Sequence, residues 1–155
     1  MNASAYMEHI KYIKHNIDLI ELELDKIDKE MITVPALNYN ADKAQTSPKK
    51  DRLEKLVIAL IDRKEDLTTE LMELKKDYIT EVHEAMKLIR SIDSEDQQEI
   101  LILRYINNRK WWDILRIRDC DSLSSQQRLK ARALEALQVE MDKKKNNPRG
   151  SVMDT

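Results

Sequence analysis

The residues most able to do chemistry lie between positions 104 and 132. This stretch carries three acids, Asp113, Asp119 and Asp121, against eight bases: Arg104, Arg109, Lys110, Arg116, Arg118, Arg128, Lys130 and Arg132. Residues 1–94 carry 19 acids and 15 bases, so a whole-chain net charge of -2 hides a basic segment attached to an acidic one. Ser124, Ser125 and Gln127 are interleaved with the bases. Guanidinium and ammonium groups neutralise phosphates, and hydroxyl and amide side chains donate to phosphates and to base edges. The candidate DNA-contact set is therefore Arg109, Lys110, Arg116, Ser124, Ser125, Gln127, Arg128, Lys130 and Arg132. A charge run is more often a solvated face, so the pattern alone leaves an ordinary basic helical surface equally open.

Other chemistries find no residues to carry them. His9, His15 and His83 have no metal-ligand spacing with one another or with Cys120, so no metal is expected. Gly150 is the one glycine, which excludes a phosphate-cradling P-loop. No nucleophile–base arrangement appears, and the carboxylates fall on outer helix faces beside lysines, so the chain is not expected to be an enzyme or to need a cofactor. A single cysteine makes no internal disulfide and fits a reducing compartment. No apolar run approaches the ~20 residues of a membrane span. The opening "MNASAYMEHIKYIKHN" lacks a basic region followed by an apolar one, so no signal peptide and a cytoplasmic location are expected.

The elements that must position the basic segment are helices. One glycine, three prolines and no Phe in 155 residues, with 36% charged, leave little to turn strands and favour long helices. Tyr6, Ile10, Ile13, Ile17, Ile20, Leu24, Ile27 and Met31 alternate steps of four and three, the a/d seam of a coiled coil over about 4–31. Ser4 is the candidate cap, and Asp25 with Lys29 a favourable outward pair. The run 32–47, with two Asn and Pro35, reads as a loop. "SPKKD" restarts a helix with Ser47 as cap and Pro48 at its first position, running about 48–90. Its seam is Leu53, Val57, Leu60, Lys64, Leu67, Leu71, Leu74 and Tyr78, and it widens with steps of four through Val82, Ala85/Met86 and Ile89. Lys64, at a seam position, either reaches solvent or meets a neighbouring acid. Residues 1–91 are thus expected to form a coiled-coil-like antiparallel helical hairpin. Its seam serves either internal packing or a homodimer made through the hairpin.

Residues 92–142 divide into three short helices. Ser94 with Gln97 is a capping box. An apolar helix through Ile106, a turn at "NNRK", a helix holding Trp111, Trp112, Ile114, Leu115 and Ile117, a turn at "RDCDS" and a last helix follow. Either Ser122 or Ser124 caps that last helix. Three short helices with a tight turn before the last are the layout of a helix-turn-helix, whose final helix reads DNA. Residues 143–155 read as a disordered polar tail.

The string "QQEILILRYINNRKWWDIL…S…RLKARALEAL" resembles the helix-turn-helix of sigma-factor region 4. With the upstream helices and the "TSPKKD" segment, most of the chain resembles the sigma-like late-gene activators of Gram-positive phages, the RinA/ArpU-like regulators. The likeness is strongest over 95–137. It implies a phage or prophage transcriptional activator in a bacterial host cell, binding double-stranded promoter DNA through the last helix, with RNA polymerase as a second partner. It places Leu103, Arg104 and Tyr105 in packing and backbone contact, Trp111 and Ile114 in the middle helix, and Ala133 to Leu137 at the end of the recognition helix. Trp112 is expected to seal the back of the turn. Leu115 departs from the family's small residue, and Gln126 falls where the family buries Val if Ser122 is the cap. A small-terminase-like packaging protein and a helical interaction protein without DNA binding are the alternatives.

Overall fold

The computed structural model describes residues 1–44 and 47–146, except for the side chains of 34–44 and 47–49. Among these residues the chain is all-α, with no strand. Helix α1 spans Ala3–Ala44 and α2 Ser47–Arg90. Helix α3 spans Glu95–Leu101 and continues into a π-helical turn, Ile102–Ile106. Helices α4, Trp111–Ile117, and α5, Leu123–Asn146, complete the chain. Two compact units result: Lys14–Asp77, and a second unit that joins Met1–Ile13 to the residues from Tyr78 onward.

Within Lys14–Asp77 the two long helices pair antiparallel. Lys75 Nζ meets Glu21 Oε1 at 3.5 Å and Lys64 Nζ meets Asp28 Oδ1 at 2.8 Å, so numbering falls on one helix as it rises on the other. Ile20, Ile27 and Leu67 are buried, with Leu24, Met31, Leu60, Leu71 and Leu74 packed around them. The seam steps of four and three put these residues on one stripe per helix, and burying that stripe holds the pair. Half-exposed ion pairs contribute at most about 1 kcal/mol each, so they set register more than stability. Lys64 is the polar interruption of the seam, and its amine turns to Asp28 instead of entering the core. Asp25 and Lys29 form the outward pair at 3.0 Å.

The second unit has a wider core. Ala3, Met7 and Ile10 of α1 and Ala85, Ile89 and Ile92 pack with Ile100, Leu101, Leu103, Tyr105, Ile114, Ala133 and Leu137. A two-helix seam needs only a and d positions. Here Met7, off those positions, is buried as well, because further helices cover that side of α1. The Ala3 amide donates to Gln138 Oε1 of α5 at 2.7 Å. Further along, in the last turn of α5, Lys144 Nζ bonds Glu84 Oε2 of α2 at 2.6 Å. Burial beside Glu81 and Glu84 pushes the Tyr6 phenol up to about 12.

Several boundaries differ from the sequence reading. Helix α1 continues to Ala44, so residues 32–44 are helical rather than a loop. Pro35 removes one amide from the ladder, but Ala36, Leu37, Ala41, Lys43 and Ala44 are good helix formers and no glycine follows to open the chain. The cap of α1 is Asn2, whose Oδ1 accepts from the Ala5 amide at 2.8 Å, and Ser4 lies inside the helix. The proposed cap at Ser47 lies outside the described side chains. Helix α5 runs through the lysines to Asn146, beyond the expected start of the tail at 143, and residues 147–155 lie outside the described residues.

The Glu84–Lys144 pair gives a pH dependence. Its hydrogen bond and charge hold the Glu84 carboxyl below its ordinary value. A lowered acid contributes stability above its unfolded value and loses it as pH falls through the lowered folded value. Wild type should therefore unfold at a higher temperature than Glu84→Gln at neutral pH, and the two should converge in acid below the carboxylate range. Thermal unfolding across that range checks it, and a gap independent of pH would contradict it.

Candidate functional site

The basic surface is built from two turns made without glycine. Asn108 and Asp119 both take φ of 52°, the left-handed region that Asn and Asp enter at lower cost than other residues with a Cβ. After α4, the Cys120 amide donates to the Leu115 carbonyl at 2.9 Å and the Asp119 amide to the Arg116 carbonyl at 3.2 Å. This is the double bond pattern of a Schellman cap, with Asp119 where glycine usually stands. After the π-helical turn, the Arg109 amide closes onto the Leu103 carbonyl at 2.9 Å, and Arg104 Nη1 donates to the Arg109 carbonyl at 3.0 Å.

Ser122 caps α5. Its hydroxyl accepts from the Ser125 amide at 3.2 Å and its carbonyl from the Gln126 amide at 3.3 Å. Ser124 lies inside the helix, with its hydroxyl 3.2 Å from that of Ser122. This register puts Gln126 on the inner face, only 6% exposed. Its amide is satisfied there. Arg118 Nε donates to Gln126 Oε1 at 2.8 Å, and Gln126 Nε2 donates to Cys120 Sγ at 3.3 Å.

Arg118 is the centre of this knot. Its side chain is 10% exposed, and it also reaches Glu99 Oε1 at 2.6 Å and Asp96 Oδ1 at 3.1 Å on α3. One guanidinium thus ties α3, the turn and α5 together. The two carboxylates are more than half exposed, so solvent screens their charge and each pair is worth at most about 1 kcal/mol. The larger effect is the buried Gln126 amide, which would cost about 1–3 kcal/mol if left without a partner.

The register fixes where each candidate contact lies. Ser124, Arg128, Ala131, Arg132 and Glu135 share one face of α5 and are all exposed, opposite buried Gln126, Ala133 and Leu137. Ser125 and Gln127 are exposed at the flanks of that stripe. Lys130 departs from it. Its amine lies 5.5 Å from the Trp111 ring and 5.9 Å from the Tyr105 ring, on the inner side of α5. Arg104 stacks on the same indole at 5.0 Å. Burial raises the Tyr105 phenol above its ordinary value. Arg116 pairs with Asp113 at 3.1 Å, while Arg109 and Lys110 are exposed in the link before α4. Among the described residues, the side chains of Arg109, Lys110, Arg128 and Arg132 make no ion pair or hydrogen bond.

One residue that organises this surface was not singled out in the sequence. Arg118 read as one more base in a basic run. Its signal was Gln126, an amide at an otherwise apolar position, which needs a buried partner. Trp112 does not seal the turn: it is 71% exposed, and Ile117 is also exposed. Cys120 is partly exposed. Among the described residues no group of three or more His, Cys, Asp or Glu could hold a metal ion, and no helix is long and apolar enough to cross a membrane.

The left-handed turn at Asp119 gives a rank order. Asp119→Val should destabilise by about 1–2 kcal/mol, the cost of a β-branched side chain at positive φ, whereas Asp119→Gly should match or exceed wild type. Thermal unfolding of both variants checks it, and a Val variant as stable as the Gly variant would contradict it.

The chain matches no family model, no curated protein and no solved structure.

Proposed function

We propose that the chain is a DNA-binding transcriptional regulator that uses α4, the Schellman turn and α5 as a helix-turn-helix. The observation that carries this reading is the outer stripe of α5, where Ser124, Arg128 and Arg132 stand exposed on a helix pinned from behind by Arg118 and Gln126. A capped, rigid helix offering two unpaired guanidiniums and small donors is suited to the major groove, where such groups meet phosphates and base edges. Arg109 and Lys110 add further unpaired charge for the backbone. Lys130, held against Trp111 and Tyr105, supports the stripe from within and is not a primary contact in this reading. The resemblance to the sigma-like late-gene activators of phages extends the proposal to activation of phage or prophage promoters, with RNA polymerase as a second partner. The protein acts by binding, without catalysis.

A mobility shift on duplex DNA across a salt series tests it. Wild type should bind at low salt, with log affinity falling linearly against log salt. The double variant Arg128→Ala/Arg132→Ala should bind more weakly and show a slope shallower by about two, one unit per lost phosphate contact. Absence of duplex binding by wild type at low salt would sink the proposal.

A further inference from the structure

Trp112 is the most exposed aromatic side chain among the described residues. It contributes nothing to the core, whereas its neighbour Trp111 packs against the core under Arg104 and Lys130. Helix α4 thus buries Ile114 and turns Trp112 outward. Its charged neighbours in sequence are Arg109, Lys110 and Arg116, with one acid, Asp113. Arg116 follows at i+4, on the same flank of the helix, and its side chain is 79% exposed while held at 3.1 Å by Asp113. Lys110 and Arg109 precede it, exposed and without side-chain partners among the described residues.

A flat apolar ring with basic side chains before and after it has a specific chemical complement. A protein pocket able to take the indole would also have to desolvate or neutralise these cations. A nucleic-acid strand supplies both needs at once: a planar base to stack on the ring and phosphates on either side for the cations. In a duplex the base faces are covered by their neighbours, so an indole finds a free face only where pairing is open. We infer that Trp112 is a stacking platform for an unpaired base in DNA, flanked by Lys110 and Arg116 as phosphate contacts. This inference rests on the proposal that the chain binds DNA, and it adds that an opened duplex is preferred over a closed one.

The test uses the full chain with three fluorescent nucleic acids: a DNA duplex, the same duplex with a central mismatched bubble, and RNA of the bubble strand. Wild type should bind the bubble about 5- to 150-fold more tightly than the closed duplex, the range expected for one base–aromatic stack. Trp112→Ala should erase that preference while leaving duplex affinity and thermal unfolding unchanged, and Trp112→Phe should restore part of it. Equal affinity of wild type for bubble and duplex would overturn the inference while leaving the DNA-binding proposal standing, as would a preference that Trp112→Ala does not alter. RNA bound more tightly than the bubble would overturn the assignment to DNA. Failure of wild type to bind any of the three would remove the DNA-binding proposal itself, and this inference with it.

Discussion

The surface of the second unit depends on one guanidinium. Arg118 leaves the end of α4, runs beneath the turn and bonds to Gln126 on the inner face of α5 while its other nitrogens hold Glu99 and Asp96 of α3. A buried amide at a helix–helix contact would ordinarily be a defect, since it gives up water without gaining a partner. Here its oxygen takes the Arg118 Nε–H, and its nitrogen donates to Cys120 Sγ in the turn itself. Satisfying Gln126 therefore fixes the rotation of α5 about its own axis. That rotation decides that Arg128 and Arg132 point outward while Lys130 turns towards Trp111 and Tyr105.

The remaining elements steady this knot. The first turns of α1 bury Ala3, Met7 and Ile10 in the same core as Ala133 and Leu137, and the Ala3 amide bonds Gln138. The far end of α5 is held by the Glu84–Lys144 pair. The long helices thus contribute to this unit through the start of α1 and the end of α2, and α5 is gripped along its length. A helix held this way has little further freedom to lose on meeting a partner, which favours affinity through preorganisation.

Much of this was legible in the sequence. The a/d seam of α1 is buried or half-buried at every position read from its spacing, because a stripe of that period has no other stable place in a paired helix. Ser94 caps α3 as its spacing to Gln97 suggested, accepting from the Gln97 amide at 3.3 Å. The polar run after Met31 misled because proline and asparagine are loop signals only statistically, and the residues among them favour helix. The turn before α5 resisted reading because its left-handed residue is aspartate and no glycine marked it. With Ser122 as the cap, Gln126 falls on the inner face of α5, where an apolar plug would be expected, and it is held there as a bonded amide. The pairing of Arg118 with Gln126 joins residues eight apart across a turn, and no helical or strand period announces such a contact. Helix neighbours point about 100° apart, so the adjacent tryptophans divide: Trp111 packs on the core and Trp112 faces outward rather than sealing the turn.

The most direct measurement is a double-mutant cycle between Arg118→Met and Gln126→Leu, read both by unfolding and by affinity for duplex DNA. If the knot sets the face of α5, each single change should lower stability and weaken duplex binding. The double variant should then lose less than the sum of the singles, with a coupling of about 1–2 kcal/mol, because replacing both partners leaves no buried amide unsatisfied. Strict additivity in stability, or stability losses with duplex affinity unchanged, would contradict the account.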